Sequence, residues 1–125
     1  MNRPARLVIE SIVKQSMQSK APGLYEAMDL RCRILHGKGC VDLLLDEPVK
    51  LKDTLLKMYG DSTLSVHFIV KHLLIRPLLT EWGAPGLEEE LVTSFLSDPR
   101  KFRETLVSLL QLNPRSSRTN GPVNT

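Results

Sequence analysis

The sequence predicts an all-α protein, a compact bundle of five to six helices with a disordered C-terminal tail. Three observations carry that reading. Apolar residues recur at intervals of three and four in five segments, the period of an amphipathic helix. Proline and glycine fall between those segments rather than within them, apart from Pro77. The apolar content is aliphatic: 42% of the chain is hydrophobic, yet it holds one Trp, two Tyr and three Phe. At 125 residues there is room for one domain, which we place at 1–112, with 1–20 as an amphipathic helix and 24–112 as the helical body.

The first helix is expected from Pro4 to Ser19, with a proline at its start, where a missing N–H costs nothing. Ala5, Val8, Ile9, Ile12, Val13 and Met17 form its apolar stripe, and Ala21-Pro22-Gly23 stops it. A second helix runs from Leu24 to Leu35 with Leu24, Ala27, Met28, Ile34 and Leu35 inward, and His36-Gly37-Lys38-Gly39 is a turn. Cys40 to Leu45 is a short apolar piece, read as one or two helical turns. The third helix starts at Pro48 behind Asp46 and Glu47, whose charges suit a helix N-terminus, and Gly60 terminates it. The fourth, capped by Asp61 or Ser62, is apolar over most of its circumference: Leu64, Val66, Phe68, Ile69, Val70, Leu73, Leu74 and Ile75. That profile predicts the buried central helix, ended or kinked by Pro77. Helix five follows the Gly83–Gly86 loop with Glu88, Glu89 and Glu90 in its first turn. Helix six opens at Asp98-Pro99 and carries Phe102, Leu106, Leu109 and Leu110. The polar stretch 113–125 has too few apolar residues to pack and is expected to be disordered.

Two segments echo each other at an offset of 51 positions: Leu45-Asp-Glu-Pro-Val-Lys-Leu-Lys-Asp-Thr-Leu-Leu56 and Leu96-Ser-Asp-Pro-Arg-Lys-Phe-Arg-Glu-Thr-Leu-Val107. Each has an acidic residue, a proline opening a helix and an apolar anchor three residues on. Convergence on good capping chemistry and duplication of a helical unit both account for it. The run Glu47-Pro48-Val49-Lys50-Leu51-Lys52-Asp53-Thr54-Leu55, then Tyr59-Gly60 and Ile69-Val70-Lys71, resembles the small α-helical output domains of archaeal signalling proteins. The resemblance covers Leu24 to Leu74, about half the chain. It implies a module that binds a partner, in signalling or transcription regulation, with no chemistry of its own; the chain departs from it by continuing through two further helices.

Candidate chemistry is sparse. His67 and His72 stand five apart, about 140° around a helix, where two ligands to one metal want a spacing of three or four. Cys32 and Cys40 flank a glycine turn but lack a zinc spacing and a second pair, so they read as inert core thiols. Gly37-Lys38-Gly39 lacks the full phosphate-loop pattern and follows no strand. No nucleophile–base–orienter set is visible. We therefore expect no enzyme, no catalytic residue, no metal and no cofactor.

The charge is uneven. Residues 1–24 carry four bases and one acid, 25–60 six of each, 61–112 five bases and seven acids, and the tail two bases. The pI near 9 thus belongs to the ends. Arg3, Arg6, Lys14 and Lys20 are the candidate nucleic-acid contacts, but no aromatic sits among them for base stacking. A protein partner is the leading expectation, with Ile9, Val13 and Trp82 as the candidate contacts. The stripe of the first helix is expected to dock on its own bundle, a homodimer through Ile9 and Val13 being the alternative. No run reaches the ~18 apolar residues of a membrane span, Leu7-Val8-Ile9 is too short for a signal-peptide centre, and two cysteines imply no disulfide framework. These place the chain in the cytoplasm.

Overall fold

A computed structural model describes residues 1–112; the tail expected to be disordered, 113–125, lies outside the described residues. The described residues are all-α, without strands, and form seven helices rather than five or six. α1 is Arg3–Lys20, α2 Leu24–His36, α3 Cys40–Asp46 and α4 Pro48–Met58. α5 runs continuously over 63–82, and after a short 3₁₀ turn at Pro85–Leu87 come α6, Glu88–Ser97, and α7, Pro99–Leu110.

The N-terminus of α1 is capped by Asn2, whose side-chain oxygen accepts from the Ala5 N–H at 2.9 Å. Ile9, Val13 and Met17 are buried on α1, so the helix docks on its own bundle. α2 buries Tyr25, Met28 and Cys32. That face corrects the expected one: Ile34 is 68% exposed, Leu35 38% and Ala27 is also exposed. Ile34 stands two residues from Cys32, about 200° around the helix, and so points away from the core that Cys32 faces.

α3 is the apolar piece whose length the pattern left open. Cys40, Val41, Leu43, Leu44 and Leu45 are all buried. A helix this short needs its first N–H groups satisfied from outside. Asp29 of α2 does this, its Oδ1 accepting from the Cys40 N–H at 2.9 Å while Oδ2 accepts from Arg33 Nε at 2.8 Å. Gly39 makes the approach feasible. A β-carbon there would lie 2.6 Å from Asp29 Oδ1 and 2.8 Å from an Arg33 guanidinium nitrogen.

α5 is the central helix and packs against α1, α4 and α6. Pro77 does not end it. Between Thr63–Phe68 and Arg76–Trp82 the segment Ile69–Ile75 widens into a π-helix, and the Arg76 N–H donates to Lys71 O, five residues back. Proline inside an α-helix removes a donor and crowds the carbonyl four residues earlier. The wider turn directly before Pro77 relieves that crowding and keeps the helix continuous. Ile69, Val70, Leu73, Leu74 and Ile75 are buried. The first turns of α5 are not: Leu64 is 79% exposed and Phe68 56%, which corrects their place in the expected core.

The sequence echo has a structural counterpart. Glu47 and Asp98 take nearly the same backbone conformation, φ −142° and ψ 65° against φ −146° and ψ 78°. Each precedes a proline that opens a helix, and their N–H groups close the preceding helix on Leu43 O and Ser94 O. The buried anchors correspond at the same offset: Leu51 with Phe102, Leu55 with Leu106, Leu44 with Phe95. Lys52 Nζ donates to Leu96 O at 2.7 Å, and Arg103 Nε donates to Leu45 O at 3.0 Å. Shifted by 51 positions, each of these bonds becomes the other. Such an exchange is what a two-fold relation between two units produces.

Leu74→Ala should destabilise the protein by about 2–5 kcal/mol, the range for large-to-small changes in a core, and Phe68→Ala by under about 1 kcal/mol. Urea midpoints measure both; equal shifts would contradict the outward placement of Phe68. Lys52→Met and Arg103→Met should each cost about 1 kcal/mol, since each strips a partly buried carbonyl of its donor.

Candidate functional site

Two concavities differ in character. The first is a polar cleft of about 160 Å³ where α1, α2 and the Gly39 turn meet, lined by Arg3, Arg6, Glu10, Asp29, Arg33 and Asp42 among others. Its charges are largely spent on one another. Arg6 donates to Asp42 at 2.9 Å and to Asp46 at 2.6 Å. The Asp46 interaction holds the Arg6 guanidinium above its ordinary pKa and the Asp46 carboxyl below. Burial by itself would raise the Asp29 carboxyl; the Arg33 and Cys40 N–H bonds outweigh it and leave it lowered. Tyr25 OH donates to Glu10 at 3.0 Å, and burial first, then the nearby Cys40, Asp29 and Glu10, push the phenol up. Arg6 thus clamps α1 to α3 through two aspartates and Arg33 is engaged by Asp29 within α2, which leaves little field for an anion.

The second concavity is apolar. Ala21 and Leu24 at the α1–α2 junction, Tyr59 at the end of α4, and Leu64, Ser65, Phe68, Ile69 and Leu73 on α5 line a groove of about 370 Å³. Its shape follows from the α4–α5 corner. Gly60 and Asp61 both take positive φ, 60° and 66°, glycine freely and aspartate as one of the few side chains that tolerate it. Ser62 then caps α5, its Oγ accepting from the Ser65 N–H at 3.2 Å. Only Val66 of Thr63–Phe68 is buried, so this end of α5 stands clear of the core. The Phe68 ring rests on His72, with centroids 4.7 Å apart. Partial burial, then Arg76 and Lys71, lower the His72 pKa.

The residues singled out in the sequence fall elsewhere. Ile9, Val13 and Trp82 are 1%, 0% and 4% exposed, which corrects their reading as partner contacts. A partner could reach the α1 stripe only by unpacking α1, and the Trp82 indole N–H is already donated to Leu112 O at 2.8 Å. Of the four bases proposed for nucleic acid, Arg6 is committed to two aspartates. Lys14 lies 6.0 Å from the centre of the Tyr25 ring; Arg3 and Lys20 are exposed. Cys32 and Cys40 are free and buried; burial pushes the Cys32 thiol up to about 11 and raises Cys40 further. No group of three His, Cys, Asp or Glu side chains among the described residues is placed to hold a metal. No helix among them is long and apolar enough to cross a membrane.

Sequence reasoning missed the groove because it assigned Leu64 and Phe68 to the core with the rest of the apolar run from Leu64 to Ile75. The signal was present: Leu64, Phe68, Lys71 and His72 fall on one side of a helix, and a face carrying Lys71 and His72 is an outward one.

No protein-family model matches the chain, and neither does any curated protein or solved structure.

The carboxylates held low contribute stability above their ordinary range, and that contribution is lost as pH falls through the folded pKa values. Stability should therefore decline from about pH 5 toward pH 2, and Arg6→Gln should flatten that decline; acid titration of urea midpoints checks it. Both thiols should stay unreactive toward a disulfide reagent at pH 8 in the native protein and react together on unfolding. Rapid labelling of either in the folded state would contradict their burial.

Proposed function

We propose that this chain is a non-catalytic docking module that binds a protein partner through the groove between α2, α4 and α5. One observation carries the reading. Leu64 and Phe68, the two large apolar side chains at its rim, stand exposed one turn apart on α5. Isolated exposed apolar residues are ordinary, but a pair that lines an apolar concavity is the anatomy of a recognition site. A regulatory setting, in signalling or transcription, rests on the resemblance of Leu24–Leu74 to signalling output domains. The nucleic-acid alternative has less support, because Arg6 is neutralised and Lys14 lies against Tyr25.

Leu64→Ser combined with Phe68→Ser should leave the fold intact, since neither side chain is buried. In affinity capture from native extract, a protein retained by the wild type should be lost by this double variant and should rebind the wild type once purified. Identical captured sets for the two would remove the groove from the function.

A further inference from the structure

The groove's surroundings point to the chemistry of its occupant, and this step rests on the docking reading above. Its floor and walls are apolar, and its volume of about 370 Å³ exceeds the ~150 Å³ that encloses a benzene ring, so two large apolar side chains fit. The rim is charged unequally. Lys20 directly precedes the groove residue Ala21, is exposed, and lies within electrostatic reach of His72. Arg31 stands seven residues beyond Leu24, two turns along the same face of α2, and is exposed as well. Among the described residues neither is engaged by an acid, whereas Lys71 and Arg76 on the neighbouring stretch of α5 are paired with Glu89 and Glu88. On the opposite rim stands Asp61, at the α4–α5 corner.

We infer that the occupant is an amphipathic helix of a partner protein, presenting two large apolar side chains one turn apart and carboxylates toward Lys20 and Arg31. The apolar pair fills the space between Leu24, Tyr59, Leu64 and Phe68 as a helix face fills a groove. The carboxylates complete two cations that have no acidic partner among the described residues, which sets the partner's orientation and excludes basic helices more than it adds affinity.

The test is selection from a displayed library of helix-forming peptides that carry an apolar pair at i and i+4 with randomised charged flanks. The wild-type protein is the bait, and the Phe68→Ser variant is used for counter-selection. Enriched peptides should carry net negative flanks. The strongest of them, labelled and followed by fluorescence anisotropy, should bind Lys20→Glu/Arg31→Glu about tenfold more weakly, two rim ion pairs having become repulsions. Selection on that double variant should return basic flanks. Phe68-dependent peptides with neutral or basic flanks on the wild type would overturn this inference and leave the docking reading standing. Absence of any Phe68-dependent enrichment would overturn both. A wild-type protein that sediments as a dimer, and a Phe68→Ser variant that sediments as a monomer, would put a second copy in the groove and overturn the partner helix.

Discussion

Two carbonyl oxygens, those of Leu45 and Leu96, govern how the halves of this molecule meet. Each lies near the end of a helix that cannot continue, because the proline three positions on forces the residue before it, Glu47 or Asp98, out of the helical conformation. A carbonyl stranded near a core costs free energy unless a donor reaches it. Here the donor comes from the other half: Arg103 for Leu45 and Lys52 for Leu96. The two bonds tie α3 to α7 and α4 to α6, and they fix the register in which Leu51, Leu55, Phe102 and Leu106 bury themselves. The edge-on contact of Phe95 with Phe102, at 5.1 Å between centroids, lies inside that arrangement. A corner that would be a defect in one unit becomes the joint between two.

α5 connects those units and has to satisfy two demands. Its later part must fill the middle of the bundle, and it must do so with a proline in its interior. The π segment answers the second by widening the turn before Pro77, and Ile69–Ile75 then bury five of seven side chains. Its first turns carry no such load. They follow a corner built from two left-handed residues and project beyond the bundle, where the short α1–α2 turn supplies only Ala21 and Leu24 as a wall. The groove is therefore a place where packing ran out of partners, and Leu64 and Phe68 are left exposed there.

Charge follows the same division between structure and surface. The basic character of the N-terminal segment is partly internal, because Arg6 closes α1 onto the acidic end of α3. Glu47 sits between Lys38 and Lys50 at 3.0 and 2.7 Å, the lysine bonds holding its carboxyl at about 2. Beside the groove, Lys20, Arg31 and Asp61 are exposed and have no ion-pair partner among the described residues.

Helical periodicity, the acid–proline starts at 48 and 99, the glycine stops at 37, 60 and 83, and the aliphatic core of α5 were all legible in the sequence, because each depends on residues within a turn or two of one another. The docking of α1 was legible as well, although of its six-residue apolar stripe Ile9, Val13 and Met17 are buried while Val8 stays 48% exposed. The sequence could not show which side of α2 faces in, because Ala27, Leu30, Ile34 and Leu35 offer an apolar face that competes with Tyr25, Met28 and Cys32. Nor could it separate Leu64 and Phe68 from the buried residues around them, or show that Pro77 is absorbed by a π turn. The echo at 51 positions was visible, but not its meaning. That lies in Lys52 and Arg103 reaching across to each other's unit, and contacts between residues some fifty positions apart are decided by how the helices pack.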